Sequence, residues 1–340
     1  MKGLLILDRA GYKINEKVYR DIMNKKFQVV DIVYTRYEDS IIRKVRNFRI
    51  VGSLLQHLFR WLKSLYYTLK IISFKHIDEI ICLNPIVGIF LGIMNFKHTR
   101  IILGGFLFEP KNNNIYYRLR KKITGFALKR IDKAVVYGSK EVTYYKNIFD
   151  LKDKFIFVPY GIDYLNQIPY EGKSLPEKFI FSGGGSNRDY ETLSKAYACS
   201  SKRLPLVIAT QPWRLDELEL SNVYILTNVV NETFGDVLKK AELLILSLKD
   251  SDISAGHMVM LQAMKLGVPI IVNDIPAIHD YVDQTMVVFY KSGDIKGLCK
   301  TIDKYDKEQI NNKQRVISAN EKYNNEYTSF GLVKRLLELT

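Results

Sequence analysis

Apolar residues along this chain fall in short runs separated by segments with helical spacing. Leu4–Leu7, Phe27–Val33, Glu79–Leu83, Arg100–Leu103, Ala134–Tyr137 and Phe155–Val158 read as strands in the first half. Lys178–Ser182, Leu206–Ala209, Val223–Leu226, Leu243–Ser247, Pro269–Val272 and Met286–Phe289 repeat the style in the second. Several runs are apolar throughout, as in a parallel sheet covered on both faces. Helical patterns such as Tyr190–Ala198 and Gly235–Glu242 fall between them. Strands alternating with helices predict βαβ units with right-handed crossovers. The turn-rich stretch from Pro159 to Pro176 marks a boundary. The expected fold class is α/β: two doubly wound parallel-sheet domains over residues 1–165 and 166–320, with a cleft between them. A C-terminal helix over 321–340 is expected to pack back toward the first domain.

Length and composition fit that picture. The 340 residues are 47% hydrophobic and 26% charged, enough for two cores. No segment has the uncharged apolar length of a membrane-spanning helix, and the N-terminus lacks a signal-peptide pattern. Cys82, Cys199 and Cys299 are widely spaced and odd in number. They suggest neither a disulfide framework nor a metal site, and a cytoplasmic setting is expected.

Charge divides the halves. Residues 1–165 hold 30 Lys+Arg against 14 Asp+Glu, a net of +16, whereas residues 166–340 hold 21 against 22. Between Asp39 and Asp78 there are eight bases and no acid. Within that stretch Val51, Leu55, Leu58, Leu62, Leu65, Leu69 and Ile72 recur at helical spacing, with Phe59, Trp61, Tyr66 and Tyr67 widening the stripe. Either the stripe is core beneath a sheet-covering helix, or it lies on an anionic membrane surface. A second basic run contains Lys111, Arg118, Arg120, Lys121, Lys122, Lys129 and Arg130. Residues 43–75 and 111–130 are thus the candidate membrane-facing segments. No recognised nucleic-acid motif accompanies the charge.

Two segments of the second half could carry chemistry. Ser254-Ala255-Gly256-His257-Met258 through Gly267-Val268-Pro269 reads as a loop, a helix, a stop and a buried strand. Asp252 and Ser254 are good N-cap residues, and such a helix start presents N–H groups suited to phosphate. Gln262 offers an amide to ribose hydroxyls, or is simply core. Gly183-Gly184-Gly185-Ser186-Asn187-Arg188 follows a strand and leads into a helix, so backbone could approach a ligand there while Arg188 supplies a fork of donors. Neither a dinucleotide fingerprint nor a P-loop spacing is present. Both segments belong at strand C-terminal ends, where open α/β sheets bind ligands. In the first half, Glu109 is the sole acid between Glu79 and Asp132, and Gly11 follows the first strand. Glu109 is a candidate for orienting a ligand, or a salt-bridge partner of its basic neighbours. Gly11 is either a plain turn or a place where backbone nears a ligand.

These residues together resemble a retaining glycosyltransferase of the GT-B fold, most similar to family 4. The likeness is carried by Arg188-Asp189-Tyr190-Glu191-Thr192-Leu193, Val158-Pro159-Tyr160-Gly161-Ile162-Asp163, and Leu261-Gln262-Ala263-Met264 through Ile271. It implies a metal-independent hexosyltransferase of cell-surface polysaccharide synthesis (capsule or O-antigen type), with no cofactor. Its substrates would be a UDP- or GDP-sugar and a saccharide acceptor, such as a lipid-linked one, at the inner membrane face. It further implies Arg188, His257 and Glu109 as catalytic residues. Gly11, Gly184, Gly185, Arg188, Ser254, Gly256, His257, Met258 and Gln262 would hold the donor. Ser254 and Gln262 stand where the family usually has two glutamates. That departure leaves a non-catalytic sugar-nucleotide-binding relative as an alternative; a GT-B nucleotide-sugar epimerase is another, although the catalytic acids it needs are not evident in the chain.

Overall fold

A computed structural model of the chain describes all residues except 9–12, 14, 36–50, 75, 95–98, 110–114, 164–167, 173, 202–203, 212–213, 216–221, 228, 230–231, 250, 252 and 306–308. The chain divides into two compact units, Met1–Val158 with Ser329–Thr340, and Pro159–Thr328.

All twelve expected strands form, in two parallel six-stranded sheets. In the first unit β1 (Lys2–Leu7), β2 (Val29–Tyr34), β3 (Glu79–Cys82), β4 (Arg100–Gly104), β5 (Lys133–Val136) and β6 (Phe155–Phe157) take the order β2-β1-β3-β4-β5-β6. Their side chains alternate between two covered faces, which is why the runs are apolar without interruption. One face packs Leu4, Ile6, Ile80, Ile101, Leu103 and Val136 against four helices. These are α2 (Val51–Ile72), α3 (Pro85–Met94), α4 (Ile115–Arg130) and α5 (Ser139–Phe149). Against the first unit's α1 (Glu16–Met23) packs the chain's last helix, α12 (Ser329–Leu337), where the Tyr19 and Ser329 hydroxyls share a 2.5 Å hydrogen bond.

The expected single C-terminal helix over 321–340 is instead two. Helix α11 (Gln309–Glu326) stays with the second unit, and α12 returns to the first. The division falls at Val158/Pro159, seven residues before the expected 165/166 boundary.

The second unit contains β7 (Ile180–Gly183), β8 (Leu206–Ala209), β9 (Val223–Leu226), β10 (Leu243–Leu246), β11 (Ile270–Asp274) and β12 (Val288–Lys291). Their order is β12-β11-β10-β7-β8-β9, so the winding reverses between β7 and β10. Its helices are α6 (Tyr190–Cys199), α7 (Glu232–Lys239), α8 (His257–Leu266), α9 (Pro276–His279), α10 (Ile295–Lys304) and α11. Leu193, Ala196, Leu298 and Ile302 from α6 and α10 cover one face of the sheet. One expectation fails here. Cys199, at the end of α6, and Cys299, on α10, form a disulfide with Cα atoms 6.1 Å apart, and Cys82 is the single free thiol. Sequence spacing gave no sign of it because the pairing depends on two helices lying side by side, 100 residues apart. With the disulfide formed, cysteine usage no longer argues for a reducing compartment.

Helix α2 is turned inside out relative to a sheet-covering amphipathic helix. It buries Ser64, Thr68 and Ile71, while Leu58, Phe59, Leu62 (55% exposed), Tyr66 (63%) and Leu69 face outward. The Thr68 hydroxyl donates to Ser64 O at 2.8 Å, so this small polar face approaches the protein closely without leaving Thr68 unsatisfied. The core reading of the leucine stripe is therefore overturned at those positions. Helix α3, apolar throughout, lies against both α2 and α4. On α4 the same outward mixture recurs: Ile115 (84% exposed), Tyr116, Leu119 and Phe126 alternate with exposed Lys121, Lys122 and Lys129. Residues 43–50, 75 and 111–114 of the two candidate segments lie outside the described residues. Among the described residues, no helix is long and apolar enough to cross a membrane.

Candidate functional site

Open doubly wound sheets bind ligands where the winding reverses, beyond the C-terminal ends of the strands. In the second unit that point lies between β7 and β10, and both chemically suggestive segments are there. The glycine turn continues β7, and the loop to α8 continues β10.

Hydrogen bonds zip the two together. Asp189 N–H donates to Ser247 O (3.0 Å), and Lys249 N–H donates to Asn187 O (2.9 Å). Arg188 and Leu248 form an antiparallel bridge, and Asn187 Nδ2 donates to Ser251 Oγ at 2.9 Å. Asn187 holds a left-handed φ of 50°, a conformation that asparagine tolerates better than most residues. The α6 start is capped by Asp189, which accepts from Thr192 N–H.

Arg188 sits inside this seam. It is 8% exposed, donating from Nε to Gly183 O (2.8 Å) and from Nη1 to Ser186 O (2.7 Å). Its Nη2 has no hydrogen-bond partner among the described residues. Burial lowers its pKa to about 10, with Arg214 adding in the same direction, so it stays cationic at neutral pH. Glycine is required at 184: φ is +107°, and a Cβ there would lie 2.4 Å from Arg188 Nη2. Tyr190 Oη and Thr210 Oγ1 both donate to Gly184 O, fixing the turn from two sides.

The α8 start differs from the expected one. Its N-cap is Gly256, in a left-handed conformation (φ 87°), and no side chain caps it. Ser254 lies half-buried in the preceding loop, and Asp252 falls outside the described residues. The helix start therefore has no side-chain cap, and the N–H groups of Val259 and Met260 both donate to Gly256 O at 3.0 Å. At the other end Asn320 of α11 donates to Met264 O and Lys265 O, completing the helix's last carbonyls and fixing its position.

His257 is committed to structure. Its ring is buried against Tyr281 (centroids 4.3 Å apart), with Nε2 3.2 Å from Ala277 O. Since only an N–H can meet a carbonyl, Nε2 carries the proton and Nδ1 is left as an acceptor. Burial pushes the ring's pKa down to about 4, and the nearby Arg188 charge helps. A neutral ring with Nε2 engaged has no side-chain proton to give a phosphate or a sugar. Any contribution from this position comes from its backbone N–H. Met258 is exposed beside it, whereas Gln262 is 6% exposed and its amide makes no hydrogen bond among the described residues.

In the first unit, Glu109 is exposed beyond β4, and its backbone carbonyl accepts from Arg120 Nη1. Its carboxylate forms no ion pair among the described residues, and its basic neighbour Lys111 lies outside them. Gly11 lies outside the described residues. The structure thus brings together Gly184, Gly185, Arg188, Gly256 and His257. Sequence reasoning missed Thr210, Tyr190 and Arg214 around the same turn. The available signal was strand adjacency: Gly183 pairs with Ala209 in neighbouring β7 and β8, so the loops after both strands must converge.

Residues 177–305 match the family described as Glycosyl transferases group 1. That span runs from just before β7 to the end of α10 and includes the whole seam. Across the entire chain the fold is similar to solved structures. HepE from Anabaena in complex with UDP-glucose superposes with a TM-score of 0.67 at 10% identity, over 99% of this chain and 98% of that one. The lipopolysaccharide outer core galactosyltransferase WaaB gives 0.59 at 14% identity, over 100% and 99%. Sucrose-phosphate synthase from Thermosynechococcus elongatus gives 0.59 at 11%, over 100% and 98%. A search of curated protein sequences finds no match. The architecture, two parallel-sheet Rossmann-like domains, is that of the GT-B glycosyltransferases.

Proposed function

We propose that this chain is a retaining, metal-independent hexosyltransferase that moves a sugar from a UDP- or GDP-sugar to a lipid-linked saccharide in cell-surface polysaccharide synthesis. One observation carries the donor half of this reading. A buried guanidinium whose Nη2 has no partner among the described residues is zipped to a helix start without a side-chain cap, at the winding reversal of a sheet. Fixed positive groups there match a diphosphate leaving group. The family match over 177–305 and the UDP-glucose complex of HepE support the same reading.

The chemistry follows from the charge. As the bond between the anomeric carbon and the diphosphate oxygen breaks, negative charge grows on the departing oxygen. Arg188 Nη2 and the positive N-terminal end of α8 stabilise it. The acceptor hydroxyl attacks the same face, and its proton passes to the departing diphosphate, so no protein nucleophile is needed. Gln262 pairs with ribose hydroxyls through its unpaired amide. Glu109 orients the acceptor hydroxyl.

The acceptor half rests on the first unit's surface. Outward leucines and aromatics interleaved with lysines on α2 and α4 suit an anionic bilayer, holding the protein at the inner membrane face where a lipid-linked acceptor resides. That WaaB acts on lipopolysaccharide supports the assignment.

Incubation with a panel of nucleotide sugars, read by melting temperature and by slow donor hydrolysis, tests the donor claim. Stabilisation by one UDP or GDP compound together with hydrolysis is expected. Failure of every compound to stabilise the chain overturns it, and stabilisation without turnover favours the non-catalytic relative that Ser254 raises. Equal or absent sedimentation with anionic and neutral vesicles would refute the membrane claim.

A further inference from the structure

The loop after β8 carries a cation outside the donor-binding set described so far. Arg214 donates from Nε to Gln211 Oε1 at 2.9 Å, and its backbone N–H bonds Gln211 O. The two residues before Gln211 are bonded to the glycine turn. Thr210 Oγ1 donates to Gly184 O at 2.9 Å, and Gly184 N–H donates to Ala209 O at 3.0 Å. A Cβ added at Gly185 would meet Gln211 Oε1 at 3.2 Å and Arg214 Nη2 at 3.4 Å. One added at Gly184 would meet Arg188 Nη2. Two guanidinium groups therefore flank two consecutive glycines.

Neither guanidinium has a carboxylate partner among the described residues. Arg188 is more than nine-tenths buried, and Arg214 is exposed; among the described residues Arg188 Nη2 has no partner and the Arg214 guanidinium is held by one nitrogen. Like charges placed together without a counter-ion repel, and the repulsion is relieved when an anion enters between them. A diphosphate carries more negative charge than one guanidinium neutralises, and its oxygens suit forked donors.

We infer that Arg214 is a second diphosphate-binding residue, converging with Arg188 over Gly184–Gly185 on one nucleoside diphosphate. The inference rests on the nucleotide-sugar reading and goes beyond it by naming the cation that faces solvent. Arg188 is fixed in the seam before the ligand arrives. Arg214, tethered through Gln211, meets the ligand from the open side.

Titration calorimetry of the full chain with UDP, UMP, GDP and GMP tests this, using the wild type, Arg214→Gln and Arg214→Lys. Arg214→Gln should weaken the preferred diphosphate by about 10- to 100-fold while leaving its monophosphate much closer to wild type. Arg214→Lys should recover part of the loss, and diphosphate binding by the Gln variant should depend less on salt. Because Arg214 is exposed, the ligand-free melting temperature of the variants should match the wild type. Unchanged diphosphate affinity in Arg214→Gln overturns the inference. So does an equal loss for diphosphate and monophosphate, which would assign Arg214 to the base or ribose. If the wild type binds no nucleotide, the nucleotide-sugar reading falls and this inference with it.

Discussion

The two units place their charged and polar groups in opposite ways. In Pro159–Thr328 the groups that matter are buried and directional: Arg188 is bonded at two nitrogens, and the segments after β7 and β10 are stitched together. In Met1–Val158 with Ser329–Thr340 the conspicuous groups lie outside, where α2 and α4 show leucines, aromatics and lysines to solvent. Fixed donors recognise a small anion of defined shape. A broad mixed surface recognises an extended one, with no single contact indispensable. Substitutions should therefore act abruptly in the second unit and incrementally in the first.

The sharpest break should come with acid. His257 is held neutral down to about pH 4 in the folded second unit, whereas an unfolded histidine protonates near its ordinary value. The unfolded state binds more protons across that window, so stability is complete above the ordinary value and falls as pH drops toward 4, by roughly 3 kcal/mol. Denaturation of the wild type and His257→Gln at neutral and acid pH should show a smaller acid loss in the variant. An equal loss would detach the effect from this ring.

Next in size, Arg188→Ala should weaken nucleoside diphosphate binding by about 1.5–3 kcal/mol, as for a charge-assisted contact, measured by calorimetry. Gly184→Ala should cost about 1–3 kcal/mol of stability through backbone strain and weaken the same ligand by displacing the guanidinium, which denaturant melts and binding assays separate. Smaller again, each Glu substitution at Lys70, Lys121 or Lys122 should weaken binding to anionic vesicles by at least about 1 kcal/mol without affecting nucleotide binding. The smallest effect is expected from Leu62→Ser. Its side chain faces out, so folding stability should move by less than about 0.5 kcal/mol while vesicle binding falls. A large stability loss would return Leu62 to the core.

Much of the fold was legible because parallel strands buried on both faces leave uninterrupted apolar runs. Each of the twelve runs became a strand, Ile180–Gly183 and Leu243–Leu246 among them. The Arg188 and Gly256 segments were legible through their glycines and their place after strands. What stayed hidden depended on tertiary neighbours. Helical spacing showed that α2 has two faces, but not that Ser64 and Thr68 form the inner one. Nothing local to Cys199 or Cys299 announced their pairing. The Gly256 cap displaced the expected Ser254 cap because a left-handed glycine turns the chain into α8 without any side chain. His257 could be seen beginning a helix, whereas its bond to Ala277 O required α9 to pack beside it. Arg214 was overlooked because its loop joins the turn only through the β7–β8 register.

The outward leucine face of α2 makes turnover in bulk water and turnover at a surface two different quantities. A chain settled on a bilayer would meet a bilayer-borne acceptor at an effective concentration set by two dimensions rather than three. The same donor site, unchanged in every bond, would then work slowly on a short soluble acceptor and quickly on one anchored beside it.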